Sequence, residues 1–306
     1  MLLALPLAAC GASATSTPVD LSAALDLSVP PDLVPPPPDL VQPPPTTPLP
    51  GWEGRLFAWQ ISSPLPAIAS RTVTVLVPPG YSDPGSAAKR YPVMYMHDGG
   101  NCLDHDPFGH GGWQVHTISY DLESRGLMAP AIFVFVDNDS QHRAEEYVPG
   151  QGVAPGPTAE AYLDFLEHTV VPFVDATYRT IPDPGSRVLG GSSYGGLISL
   201  YGAWTRPAVW RRVMAMSTAF AYDFTAQVDR EAPPKKPLLI YLDSGTTDYG
   251  GGDDDMTLTV ALRDLLEQKG WVLGDDLKHV DGQGDSHSED FWRGRLPGAL
   301  PFVLPP

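Results

Sequence analysis

The sequence predicts an α/β domain in which a mostly parallel central sheet is covered by helices on both faces. Three observations carry that expectation. From residue 51 onward, short apolar and β-branched runs alternate with segments of helical periodicity. The inner runs are almost continuously apolar, as strands buried on both faces must be. One run passes directly into Gly191-Ser192-Ser193-Tyr194-Gly195, a sharp turn followed by a helical pattern.

The chain of 306 residues opens on MLLALPLAACGAS, an apolar run leading to small residues and Cys10. This pattern is similar to a bacterial lipoprotein signal, although no Lys or Arg precedes the run. Residues 1–17 are therefore expected to act as signal and anchor, with Cys10 lipidated and the protein exported to the periplasm or cell surface. Residues 18–50 repeat a Pro-Pro-Asp-Leu theme and read as an extended spacer, because proline fixes φ and removes a backbone donor. No later apolar run is long enough to span a bilayer, so membrane attachment is expected through the lipid alone. Cys102 is the other cysteine of the chain. With Cys10 lipidated, no intramolecular disulfide can form.

The formal net charge is −17, made up of −4 in residues 1–50 and −13 in residues 51–306. That balance argues against a nucleic-acid partner, since no basic stripe is present to neutralise phosphates. Strands are expected in RTVTVLV (71–77), YPVMYMHD (91–98), AIFVFVDN (131–138), SRVLGG (186–191), RRVMAMS (211–217) and PLLIYLD (237–243), with LKHVDG (277–282) as the last. A helix is expected over 158–178, where Tyr162, Phe165, Leu166, Val170, Phe173 and Val174 share one face. Another is expected over 256–270, stopped by Lys269 and Gly270. Right-handed crossovers then place the functional loops at the carboxyl ends of the strands.

The register of Gly-x-Ser-x-Gly selects Ser193, not Ser192, as a nucleophile whose hydroxyl projects from the turn. A hydroxyl needs a base, and the base needs a carboxylate to orient it. In the α/β hydrolases that carry this motif, acid and histidine follow the serine in the chain. Of the eight histidines only His279 and His287 lie beyond Ser193. His279 falls in the last strand, so His287 is the expected base; the capping-box spacing of Ser286 and Glu289 would set it in the first turn of a helix. The acid belongs in the loop after PLLIYLD. Asp248 is the expected residue and Asp243 the runner-up, with Asp253, Asp254 and Asp255 read as helix N-terminal charges. Oxyanion donors are expected at the N–H of Tyr194 and the N–H of Gly100, with that of Asn101 as the alternative. The residues Asp104, His105, Asp106 and His110 follow no common zinc spacing, and no metal or cofactor is expected.

Taken together, VPPGY, RYPVMYMHDGGN, IFVFVDN with RAEEY downstream, VVPFVDATYRT, GGSSYGG, IYLDSGTTD and GDSHSEDFW resemble the esterase D/enterochelin esterase-like branch of the α/β hydrolases, which includes feruloyl and acetylxylan esterases. The resemblance spans nearly all of residues 51–306. It implies an α/β-hydrolase fold and a serine esterase working through an acyl-enzyme on Ser193, with His287 as base and Asp248 as acid. It also makes Arg143 a candidate for holding an anionic or catechol-bearing substrate, although an ion pair with Glu145 or Glu146 that props the loop is its favoured use. Asn101 is a further candidate contact, and the expected partner is a small-molecule or glycan-linked ester. Position 100 departs from the family, whose members often carry Gln there. Acyl transfer to an alcohol and a non-catalytic surface-binding lipoprotein are the rival expectations.

Overall fold

The computed structural model describes residues 55–231, 235–248 and 251–306. The expected anchor at Cys10 and the spacer over 18–50 lie outside the described residues. Eight strands form one sheet: β1 (Leu56–Ile61), β2 (Arg71–Leu76), β3 (Val93–Met96), β4 (Ile132–Val136), β5 (Arg187–Ser193), β6 (Arg212–Thr218), β7 (Leu239–Gly245) and β8 (Leu277–Gly282). Their order is β1-β2-β4-β3-β5-β6-β7-β8. The β1–β2 and β2–β4 pairs are antiparallel; every pair from β4 through β8 is parallel. This is the mostly parallel sheet expected from the sequence.

The inner strands are buried on both faces because successive side chains enter two different cores. Val93, Tyr95, Val134, Leu189, Val213 and Leu242 point into one. Met94, Met96, Phe133, Phe135, Val188 and Met214 point into the other. The first core is closed by α3 (Ala159–Phe165), α4 (Val171–Thr177), α5 (Tyr194–Thr205), α6 (Phe224–Glu231) and α7 (Met256–Gln268). The second is closed by α1 (Val115–Ser124) and α8 (Glu289–Val303). A short α2 (Arg143–Tyr147) follows β4. Each fully buried Val, Leu, Phe or Met side chain contributes about 1.5–3 kcal/mol, so two apolar cores hold the described domain. Cys102 is buried with a free thiol.

Two elements differ from expectation. The helix over 158–178 is not continuous: a π-helical turn at Leu166–Val170 separates α3 from α4, and the Val171 N–H reaches the Leu166 carbonyl. Pro172 at the start of α4 has no N–H to continue the α-helical ladder, and the wider turn absorbs the break. Strand β1 gave no clear signal because it is an edge strand with three residues half-buried, two exposed and one buried, which blurs its alternation.

Candidate active site

β5 ends on Ser193, whose backbone sits at φ 57° and ψ −129°, and α5 begins at the next residue. That region is sparsely populated for any residue with a Cβ and typically costs about 1–3 kcal/mol. The pairing of β5 with β6 shifts register between Ser192 and Ser193, where the strand breaks into the turn. The flanking glycines are needed for close approach. A Cβ on Gly191 would lie 2.9 Å from the Gly195 carbonyl carbon, and one on Gly195 would lie 3.1 Å from Asp98 Oδ2 and 3.3 Å from His97 Cβ. The turn is thus wedged between its own first helical residues and the loop after β3. Gly191→Ala is expected to lower stability by about 1–3 kcal/mol through overpacking, measured as a shift in denaturant midpoint.

His287 lies in the loop that precedes α8. The expected capping box does not form: Ser286 Oγ is buried without a partner, and Ser288 is the residue at the N-cap, its hydroxyl bonding the Asp290 carboxylate. His287 therefore stands just outside the helix, with its ring edge-on to Trp292 at 5.1 Å between centroids.

The carboxylate set against His287 is Asp254, with Oδ1 2.5 Å from Nδ1. Asp248, the residue expected from sequence, is exposed on the loop after β7 and does not meet His287. The reason is local. Asp254 and Asp255 both adopt positive φ, 51° and 55°, which turns the chain inward and carries the Asp254 side chain to 0% exposure. Of the three consecutive aspartates, Asp253 does act as a helix-start acceptor for the Thr257 N–H, and Asp255 accepts from the Phe220 N–H. Asp254 Oδ2 accepts from Ser217 Oγ and from the Gly245 N–H, each at 2.6 Å. The runner-up Asp243 is buried elsewhere, accepting from Tyr241 Oη, the Ser217 N–H and Arg295. Its burial pushes that carboxyl up while Arg295 pulls it down. With a carboxylate at Nδ1, a neutral imidazole keeps its proton there and leaves Nε2 as an acceptor.

Ser192, Ser193 and His287 line one cavity of about 390 Å³. Pro107, Phe108 and Trp292 give it an apolar wall, and Asp98, Asn101, Asn138, Arg143, His110 and Glu289 a polar one. Tyr194 and Gly100 are not among its lining residues, although each adjoins one that is. The Asn101 N–H already donates to the Asp98 carbonyl at 2.8 Å, so the alternative oxyanion donor is taken. At Gly100 a Cβ would meet only Asp137 Oδ1 at 3.9 Å, an ordinary van der Waals contact.

Arg143 does not pair with Glu145 or Glu146. Its Nε and Nη2 grip Asp98 Oδ1 and Oδ2 at 2.7 and 2.8 Å, while Glu146 is buried against Arg71. The guanidinium also lies over the Tyr147 and Tyr194 rings, at 5.2 and 5.4 Å. Asn101 Nδ2 donates to Glu289 Oε1 at 3.1 Å, and burial raises the Glu289 carboxyl above its usual range. His97 is held down to about 3 by burial and is hydrogen-bonded to Tyr162 Oη, so it is neutral and structural. In the loop over 104–112, Asp106 accepts the Phe108 and Gly112 N–H groups, and Asp104 pairs with His116. Trp113 is a core aromatic packed against Trp292.

A family model described as "Putative esterase" matches residues 68–303. Among curated proteins, YjcH of Bacillus subtilis (strain 168) is 28% identical over 242 residues, covering 76% of this chain and 91% of that protein. YbbA of the same organism is 22% identical over 165 residues, covering 52% of this chain and 60% of that protein. Both are described as uncharacterised. Among solved structures, a ferulic acid esterase is similar with a TM-score of 0.65 at 18% identity, covering 82% of this chain and 98% of that one. The enterobactin esterase of Shigella flexneri, solved in the presence of enterobactin, is similar with a TM-score of 0.66 at 19% identity, covering 85% of this chain and 60% of that one. The match thus spans 60% of YbbA and of the Shigella enzyme. The structural likenesses establish the α/β-hydrolase fold.

Proposed function

We propose that the chain, which belongs to the esterase family matched over residues 68–303, is a carboxylic ester hydrolase that cleaves its ester through a covalent acyl-enzyme on Ser193. The observation that supports this is the meeting, at one cavity, of Ser193 in its strained turn and of His287 backed by the buried Asp254. In this reading His287 Nε2 takes the Ser193 proton as Oγ attacks the ester carbonyl. The imidazolium that forms is stabilised by Asp254 and returns the proton to the departing alkoxide. Water then attacks the acyl-enzyme with His287 again as base, releasing the acid and restoring Ser193.

The negative oxygen of each tetrahedral intermediate would be met by the Tyr194 N–H at the start of α5 and by the Gly100 N–H. One such donor is worth about 3 kcal/mol in the transition state. The substrate proposed is a small-molecule or glycan-linked ester with an aromatic acid or alcohol. An apolar wall of Phe108, Pro107 and Trp292 would take the ring, and Asn101, Asn138 and Arg143 its polar substituents. The ring would lie in a space of about 390 Å³.

The test is covalent labelling. A fluorophosphonate probe should react once per chain, and peptide mass spectrometry should map the adduct to Ser193. An adduct on Ser192, or none on an enzyme that still turns over ester, would overturn the reading.

A further inference from the structure

We infer that Arg295 is a positioning residue that locks the acid and the base of the proposed triad into one rigid unit. The inference rests on the triad reading above. Arg295 projects from α8, eight residues beyond His287, and its side chain is only 6% exposed. Its guanidinium reaches three places at once. Nη1 donates to Asp285 Oδ2 at 2.6 Å, Nη2 donates to Ser217 Oγ at 2.8 Å, and Nη2 lies 3.2 Å from Asp243 Oδ1.

The consequence follows from donor counting. Arginine only donates, so a serine hydroxyl that accepts from it must direct its single proton elsewhere. For Ser217 that proton goes to Asp254 Oδ2 at 2.6 Å. The Gly245 N–H donates to the same oxygen. Oδ2 is thereby filled by two donors, and Oδ1 is left to accept from His287 Nδ1. The rotamer of the acid and the tautomer of the base are both set by this chain of donors.

The other arm of the fork holds the base loop. Asp285 stands two residues before His287, and its carbonyl accepts from the Thr247 N–H at 3.1 Å and from Thr247 Oγ1 at 2.9 Å. The loops after β7 and β8 touch so closely that a Cβ on Gly245 would fall 2.3 Å from the Asp285 carbonyl oxygen. A Cβ on Gly282 would fall 2.7 Å from Arg295 Nη1. Glycine at both positions leaves the fork its space. Asp243, fully buried, supplies the counter-charge and also accepts the Ser217 N–H. One side chain therefore ties β6, β7, the acid loop and the base loop together.

Two variants of the full chain test this, assayed on p-nitrophenyl acetate. Ser217→Ala removes the relayed hydroxyl but leaves the Arg295–Asp243 and Arg295–Asp285 pairs. It should lower kcat about tenfold or more, the size of one hydrogen bond to a charged group, with KM within twofold. Arg295→Lys keeps the charge but not the planar fork and should lower kcat about 10²-fold, the scale of a small misplacement of reacting groups. In both, fluorophosphonate labelling should slow by the same factor, and the low-field proton resonance of the His287 Nδ1–H should weaken or vanish. The double variant should be slower than Arg295→Lys by less than the factor Ser217→Ala costs alone, because the two effects share the Ser217 hydroxyl.

Folded variants that keep wild-type kcat and that resonance would overturn the inference, and Ser217→Ala decides the matter if Arg295→Lys does not fold. Asp254→Asn run in parallel separates the two failures. A harmless Asp254→Asn removes the triad reading and this inference with it. A crippled Asp254→Asn beside wild-type Ser217→Ala and Arg295→Lys removes this inference alone.

Discussion

Ser193→Ala should lower kcat by about 10⁶-fold, the scale seen when the nucleophile of a serine hydrolase triad is deleted. Alanine keeps the Cβ, so the strain at φ 57° is unchanged and the fold should hold with an unaltered denaturant midpoint. What disappears is the atom that forms the covalent bond. The neighbouring Ser192 is more deeply buried, at 6% exposure, and lies before the register shift that breaks β5 into the turn. Ser192→Ala should therefore stay within about tenfold of wild type, since it removes only a wall contact. Steady-state hydrolysis of a chromogenic ester, with enzyme concentration fixed by active-site titration, checks both. Retention of even one per cent of wild-type kcat by Ser193→Ala would remove the acyl-enzyme from the mechanism.

Asp254→Asn should cost about 10⁴ in kcat, the size expected when the orienting carboxylate is replaced by an amide. The local donors determine how the amide must sit. Ser217 Oγ and the Gly245 N–H both donate toward Oδ2, so the amide oxygen has to occupy that position. Its NH2 then faces His287 Nδ1, which can no longer donate and must instead accept. The ring proton moves to Nε2, the nitrogen that has to take the proton from serine. KM should change little, because the carboxylate is fully buried and does not line the cavity. Asp248→Asn, on an exposed loop residue, should leave kcat within about twofold. The reverse pattern would restore the assignment read from sequence.

The comparison of these two aspartates shows where sequence reading runs out. The alternating periodicities revealed the sheet and its helices, because burial on both faces imposes long apolar runs that few other architectures need. The turn that carries Ser193 was legible because it demands glycine on either side, and His287 was singled out because chain order left few candidates. Which carboxylate would reach His287 depended on two consecutive residues in the left-handed region and on a hydroxyl contributed by β6. Neither has a spacing rule. Asp tolerates positive φ better than most residues, so the run Asp253-Asp254-Asp255 was the available hint, but it equally fits a helix start. The capping-box spacing misled for a similar reason: Ser286 and Ser288 are both plausible caps, and packing around Trp292 and Asp290 decides between them. Arg295 carried no signal at all, since nothing in a helical pattern announces that one cation will meet three distant segments.

The grip of Arg143 on Asp98 bears on what the cavity will admit. Two of the guanidinium's three nitrogens are already committed to that carboxylate, and Asn138 Nδ2 also donates to its Oδ1. An incoming acid group would have to compete with Asp98 for the cation and would leave a second anion crowded beside it. A phenolic or amide oxygen meets no such rivalry, for it can accept from the remaining edge of the fork while the ion pair stays whole. The charge of this ion pair is thus cancelled in advance, and under the proposed function selection among guests falls to the direction of a few hydrogen bonds and the shape of the ring they carry.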